Sequence, residues 1–243
     1  MAIAWVRSAR AVTVVVMVPV LLLSGVALAW SGVSNLLLGD DGYLVRNLAL
    51  TSLLLVGAWR AGWRARELGL ARDRLLRGMG FGLAATGVVV AVVLIGVLLA
   101  DRVPLIAGLL ADQRAAERSA RLLFETTLRI PLGTALFEEV LFRGVLFAAW
   151  ARVGRTSAAV LGSSLVFGLW HVPPTIVALE LNGVAVASAA GVLGVAGGVV
   201  VTAVAGLLFA WLRWASGSLL APVLAHTATN VAGLLAAVAV SAP

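Results

Sequence analysis

The sequence predicts an all-α, polytopic membrane protein: a bundle of about seven transmembrane helices around a central polar cavity. Three observations predict it. Of 243 residues, 62% are hydrophobic and 12% charged, a charged share about half that of a soluble domain. The apolar residues come in runs near the length of about 20 that crosses hydrocarbon. The few ionisable side chains that interrupt these runs fall on three of them.

The first span is read at Ala11–Trp30, behind Arg7 and Arg10, and the second at Leu44–Trp59, bounded by Trp59 and Trp63. A loop with Arg60, Arg64, Arg66, Arg72, Arg74 and Arg77 leads to a third span, Phe81–Ala100. The mixed-charge stretch Asp101–Arg129 follows. Its Leu105, Ile106, Leu109 and Leu110 recur at helical spacing, so part of it is expected to lie along the interface. The fourth span is Pro131–Trp150 and the fifth Thr156–Val172, after which Pro173–Pro174 is expected to break the helix. Thr175–Ala190 reads as a loop or partial re-entry. Gly191–Trp211 and Ser218–Val240 complete the count. No repeat or soluble domain is visible, so residues 1–243 read as one membrane domain whose first hundred residues are generic spans.

All 18 basic residues are arginine, the net charge is +7, and there are no cysteines. Disulfides and cysteine-ligated metals are therefore excluded. The arginines flank apolar runs, which marks them as topology determinants and lipid contacts rather than a nucleic-acid surface. Alternate loops place Arg7, Arg10, the six of the second loop, Arg152, Arg155 and Arg213 on one side. Arg46, Arg102, Arg114, Arg118, Arg121 and Arg129 fall on the other, among most of the acidic residues. The N-terminus is thus expected in the cytoplasm and the C-terminus outside. Ala27-Leu28-Ala29 after the first apolar run mimics a signal-peptidase site, but the run approaches spanning length and is read as an uncleaved helix. A composition rich in Ala, Val, Gly and Arg without Lys points to a GC-rich bacterial genome, hence a bacterial cell membrane.

Most charges lie in loops or at span ends; the exceptions are Glu138, Glu139 and Arg143 in the fourth span. A carboxylate at mid-bilayer costs about 2.5–3.5 kcal/mol on insertion scales, so two adjacent ones need a reason. Glu139 and Arg143 are four apart, share a helical face and can pair. Glu138 is turned about 100° away and stays available, so the two carboxyls occupy different environments, one structural and one able to act as a base. The chain's two histidines also fall on spans. His171 ends the fifth, and His226 sits inside the seventh on one face with Asn230. An imidazole and a carboxamide are costly to leave unpaired in hydrocarbon. The economical solution gathers Glu138, Glu139, Arg143, His171, His226 and Asn230 into one cavity. Singly, each has a blander reading: a buried structural ion pair for Glu139–Arg143, a satisfied interfacial histidine for His171, a helix–helix hydrogen bond for Asn230, and packing for Phe167 and Trp170. Their coincidence favours chemistry.

Three motifs carry a family resemblance: Phe137-Glu138-Glu139-Val140-Leu141-Phe142-Arg143-Gly144, then Phe167-Gly168-Leu169-Trp170-His171, then His226-Thr227-Ala228-Thr229-Asn230, preceded by Gly217-Ser218-Leu219-Leu220-Ala221-Pro222. They resemble the EExxxR, FxxxH and HxxxN motifs, in order, of the CAAX-processing and bacteriocin-processing (CPBP) membrane endopeptidases. That family includes type II CAAX prenyl endopeptidases and bacterial Abi proteins. The resemblance covers Thr126–Leu235, and a catalytic core is expected over residues 126–235. It implies that Glu138 activates the hydrolytic water, that His171 helps hold it, and that His226 and Asn230 stabilise the oxyanion. Glu139 and Arg143 would support the site. No Ser or Cys stands beside a histidine as a nucleophile. No cofactor is firmly expected, although Glu138, His171 and His226 leave room for a zinc ion with an open water position. His226-x-x-x-Asn230 is not the HExxH zinc helix. The implied partner is a peptide or protein substrate: a prenylated CAAX tail, a leader peptide or a transmembrane segment. A proton-coupled transporter uses the same residue types, though no matched pair of broken helices supports it. A catalytically silent scaffold is the third reading. Alternate counting puts His171 near the non-cytoplasmic end of its span, whereas CAAX processing is expected to face the cytoplasm.

Overall fold

The computed structural model describes residues 2–110 and 121–241, and among these every regular element is helical. In chain order, α1 is Ala2–Gly32, extended by a π-type turn Val33–Leu38. Then come α2 (Tyr43–Arg60), α3 (Leu75–Ala100) and α4 (Pro104–Leu110). A continuous helix, α5, spans 122–151, followed by α6 (Thr156–Trp170), α7 (Val172–Leu181), α8 (Ala189–Ser216) and α9 (Leu220–Ser241).

Among the described residues, five segments are long and apolar enough to cross a membrane: Met17–Leu38, Arg72–Ala100, Thr156–Leu181, Ala189–Ser216 and Leu220–Val240. The two other expected spans, now α2 and α5, are not among them, so length and composition support five of the seven. The outer faces of these helices are apolar and open; Leu76 is 79% exposed and Leu98 and Leu193 72%. So much contiguous apolar surface would not be tolerated in water. It is the surface of an integral membrane protein.

The centre of the bundle is α5, in which every residue from 137 to 149 is buried. A helix enclosed on all sides has no solvated face to place its polar groups on, so they must meet each other. Phe142 packs edge-on to Phe167 and Trp170 of α6, at 5.0 and 5.4 Å between ring centroids. Leu146, Leu141, Phe209 of α8 and Ala225 of α9 complete the same core. Ala27 of α1 belongs to it too, and the Ser31 hydroxyl donates to the Trp170 carbonyl at 2.6 Å.

Two elements differ from the sequence expectation, each because of proline. Pro173 and Pro174 do not end a helix; they occupy the first turn of α7, where a missing N–H costs nothing. Residues 175–181 are accordingly helical rather than loop, and His171 is the corner between α6 and α7. The fourth span does not start at Pro131. Helix α5 begins at residue 122 and carries Pro131 inside a π-type stretch, Glu125–Leu136. This wider i→i+5 bonding absorbs an interruption of the α ladder. The interfacial expectation for residues 105–110 meets helix α4; Arg114 and Arg118 lie outside the described residues.

Loops sort to two ends. At one, the Leu219 amide donates to the Gly69 carbonyl at 2.9 Å and Arg152 pairs with Glu67 at 2.9 Å. The Arg64 amide and the Arg152 guanidinium hold the Glu67 carboxyl below the usual carboxylate range. That tie is complete above the ordinary carboxylate pKa and is lost as pH falls through the lowered folded-state value. At the other end, Arg129 pairs with Asp40 at 2.5 Å and with buried Glu125 at 3.0 Å.

Helices α3 and α9 touch through a small-x-x-x-small pair, Gly78 and Gly82, of the kind that lets membrane helices approach closely. A Cβ at Gly82 would lie 2.8 Å from Leu224 Cδ1 and 3.2 Å from Ala221 Cα. Gly82→Val is expected to cost about 1–3 kcal/mol, read as a lower midpoint of thermal unfolding in detergent. An unchanged midpoint would show that the contact is not tight.

Candidate active site

Glu138, Glu139 and Arg143 project from the middle of α5, where a short α-helical turn, Phe137–Glu139, lies between two π-type stretches. Such turns shift the register of side chains along a helix and are frequent at functional sites. The pairing expected from spacing is present: Arg143 Nη1 donates to Glu139 Oε1 at 3.0 Å, and both side chains are fully buried. Arg143 Nη2 also donates to the Gly206 carbonyl of α8 at 3.1 Å. Its guanidinium lies 4.1 Å from the centre of the Phe167 ring and 5.2 Å from that of Phe209, so aromatic faces supply the rest of its solvation.

His226 joins the same carboxylate. Its Nδ1 is 2.8 Å from Glu139 Oε1. Since that oxygen already accepts from Arg143, Nδ1 is the donor. The other nitrogen, Nε2, faces Glu138 Oε2 at 3.9 Å, too long for a direct hydrogen bond. Phe209 stacks on the imidazole, with centroids 5.0 Å apart and planes 18° from parallel. Glu138 is buried as well, but its Oε2 has no hydrogen-bond partner among the described residues.

His171 is half-buried at the α6–α7 corner. Its Nδ1 lies 2.7 Å from the Phe167 carbonyl. A carbonyl only accepts, so Nδ1 carries the proton and Nε2 is the free nitrogen. The Phe167 ring contacts both imidazoles edge-on, with centroids 4.5 Å from His171 and 5.9 Å from His226. Asn230, one turn beyond His226 on α9, is half-buried and makes no side-chain hydrogen bond to a described residue.

Thus Glu138, Glu139, Arg143 and His226 meet in one buried cluster, His171 stands at its edge, and Asn230 lies a turn away. Sequence reasoning did not anticipate the Glu139–His226 bond, the Gly206 carbonyl or the Phe209 stack. Gly206 and Phe209 are three apart on α8, a glycine and an aromatic on one face of an aliphatic helix, which is the only signal they offer. Phe167 and Trp170 are packing residues, as expected, but Phe167 also faces the guanidinium.

A zinc site needs donors converging within about 2.0–2.2 Å of one point. Among the described residues no three His, Asp or Glu side chains are grouped to hold a metal. Glu138, His171 and His226 do not fit a metal centre as arranged, and no step below passes through one.

The fold and site together define a membrane-embedded helical protein with a buried glutamate–histidine–arginine centre. Residues 121–232, the stretch holding all six of these side chains, match the family described as type II CAAX prenyl endopeptidase Rce1-like. The family is one of CAAX-type membrane proteases acting on protein substrates. No curated protein and no solved structure gives a significant match to the chain.

Because Arg143 is fully enclosed, Arg143→Ala is expected to strand the Glu139 carboxylate and cost about 3–5 kcal/mol. Thermal or denaturant unfolding in detergent measures this, and a loss under 1 kcal/mol would mean that Glu139 finds another partner.

Proposed function

We propose that the protein is an intramembrane endopeptidase that hydrolyses a peptide bond with water activated by Glu138. One observation carries the proposal: two adjacent glutamates differ in partnership. Glu139 Oε1 accepts from both Arg143 and His226, with Oε2 left unbonded, whereas Glu138 accepts no hydrogen bond from a described residue and its buried Oε2 faces His226 Nε2 at 3.9 Å. A general base needs such a free acceptor within hydrogen-bond reach of its water.

In this mechanism Glu138 removes a proton from water as the oxygen attacks the scissile carbonyl. His171 Nε2 accepts the water's second hydrogen bond and orients it. The carbonyl oxygen becomes an oxyanion, and donors aimed at it in a dry site are strongly stabilising. Asn230 supplies its unpaired carboxamide N–H. His226 supplies Nε2–H when it carries both protons, with the Glu139 carboxylate balancing the charge at Nδ1 much as an aspartate supports a catalytic histidine. Collapse of the tetrahedral species breaks the C–N bond, and the proton held on Glu138 passes to the leaving amine. Glu139 and Arg143 hold the frame.

The substrate class to test first is a prenylated CAAX peptide, given the family; a leader peptide or a transmembrane segment fits the same chemistry. Comparing new protein N-termini in membranes carrying the wild type or a Glu138 variant identifies the substrate without presupposing it. With a cognate peptide in detergent, Glu138→Ala and His171→Ala are each expected to abolish cleavage in a protein that remains folded. Asn230→Ala is expected to lose about 10²–10³-fold in kcat, the usual cost of one oxyanion donor. Full activity in Glu138→Ala or His171→Ala would refute the assigned roles.

A further inference from the structure

At the end of the bundle where the second loop meets the α8–α9 junction lies a pocket of about 530 Å³, far from the cluster above in chemistry and lined by Arg66, Arg74, Arg77, Arg213, Trp214 and the backbone to Gly217. We infer that this pocket binds a phosphate group presented at the membrane surface.

Four guanidiniums face one cavity. Among the described residues a single carboxylate, Asp73, pairs with any of them, at 2.9 Å from Arg66 and 3.6 Å from Arg74. All three of those side chains are more than a third exposed, so the pairs are weak and easily exchanged. The nearby Glu67 is already bound by the Arg64 amide and by Arg152. Arg213 is 5% exposed and meets no described carboxylate; it donates only to the carbonyls of Arg143, Glu67 and Arg66. The backbone is shaped around it: Gly69 has φ +76°, and a Cβ there would lie 2.4 Å from Arg213 Nε.

The placement of Arg74 and Arg77 is equally unbalanced. They cap and open α3, whose first turn has no acidic residue. A helix N-terminus carries positive partial charge and favours anions. Cations gathered there need an external anion, and guanidinium forks match phosphate oxygens. Trp214 on the pocket wall is 57% exposed, and exposed tryptophans are common at a bilayer interface. The ligand chemistry is therefore an anionic phosphate at headgroup depth, from a lipid or from a soluble phosphate.

The test uses the full-length protein in neutral detergent, titrated with short-chain phosphatidylglycerol, short-chain phosphatidylcholine and inorganic phosphate. Binding is read by native mass spectrometry and by the unfolding midpoint. Saturable binding of phosphatidylglycerol over phosphatidylcholine, with a raised midpoint, assigns a lipid headgroup. Saturable binding of inorganic phosphate that displaces the lipid assigns a soluble source. In either case Arg77→Gln and Arg74→Gln, whose side chains are not in the buried cluster, should each weaken binding about tenfold, as for one charge-assisted hydrogen bond. No saturable binding by any of the three, or equal binding in wild type and both variants, would overturn the inference. The same variants should leave peptide cleavage unchanged, which separates failure here from failure of the peptidase reading.

Discussion

The arrangement of the bundle centre depends on one buried interaction, the Arg143–Glu139 pair. Both charges are fully enclosed, and removing two ions from water costs more than their mutual attraction returns unless every remaining lone pair and proton finds a partner. The structure meets most of that demand by recruiting other helices, leaving only Glu139 Oε2 and Arg143 Nε of the pair without a hydrogen bond among the described residues. Helix α8 offers the Gly206 carbonyl and the Phe209 ring, α6 offers the Phe167 ring, and α9 offers His226. Four helices are thereby fixed in register around a single guanidinium and carboxylate. This is the physical sense in which a costly pair specifies geometry.

The consequence for chemistry is a division between neighbours. Consecutive residues on a helix point in different directions, so the partners that satisfy Glu139 cannot also satisfy Glu138. The Glu139 carboxylate accepts from Arg143 and His226 through Oε1, and Glu138 accepts from neither, its Oε2 lying unbonded beside the same imidazole. His226 thus donates to Glu139 from one ring nitrogen and faces Glu138 with the other, 3.9 Å away.

Local features were legible in the sequence and long-range ones were not. Glu139–Arg143 follows from a four-residue spacing on one helix, and each expected span falls on a helix, although α1, α3 and α5 begin six to nine residues earlier than expected. The Glu139–His226 bond spans 87 positions, and only helix packing distances decide it. Prolines were misread because their effect depends on position: Pro173 and Pro174 look like breakers but start α7, and Pro131 looks like a helix start but lies within π-type bonding. The pairing of Arg129 with Glu125 and Asp40 is not legible in the mixed-charge stretch Asp101–Arg129, since nothing local shows that α5 extends back to residue 122. The arginine-rich loop was legible as a topology signal, but its convergence with Arg213 was not, because that residue arrives from the far end of α8.

The central claim, that Glu139 holds the structure while Glu138 is held in reserve, makes opposite demands on stability. The most direct measurement is the thermal unfolding midpoint in detergent of Glu139→Gln and Glu138→Gln beside the wild type. Glu139→Gln should unfold well below wild type, because Arg143 and His226 lose their shared anion. Glu138→Gln should unfold at or above the wild-type midpoint, because a buried carboxylate with an unpaired oxygen has been neutralised. Equal losses in the two variants, or a larger loss in Glu138→Gln, would contradict this division of roles.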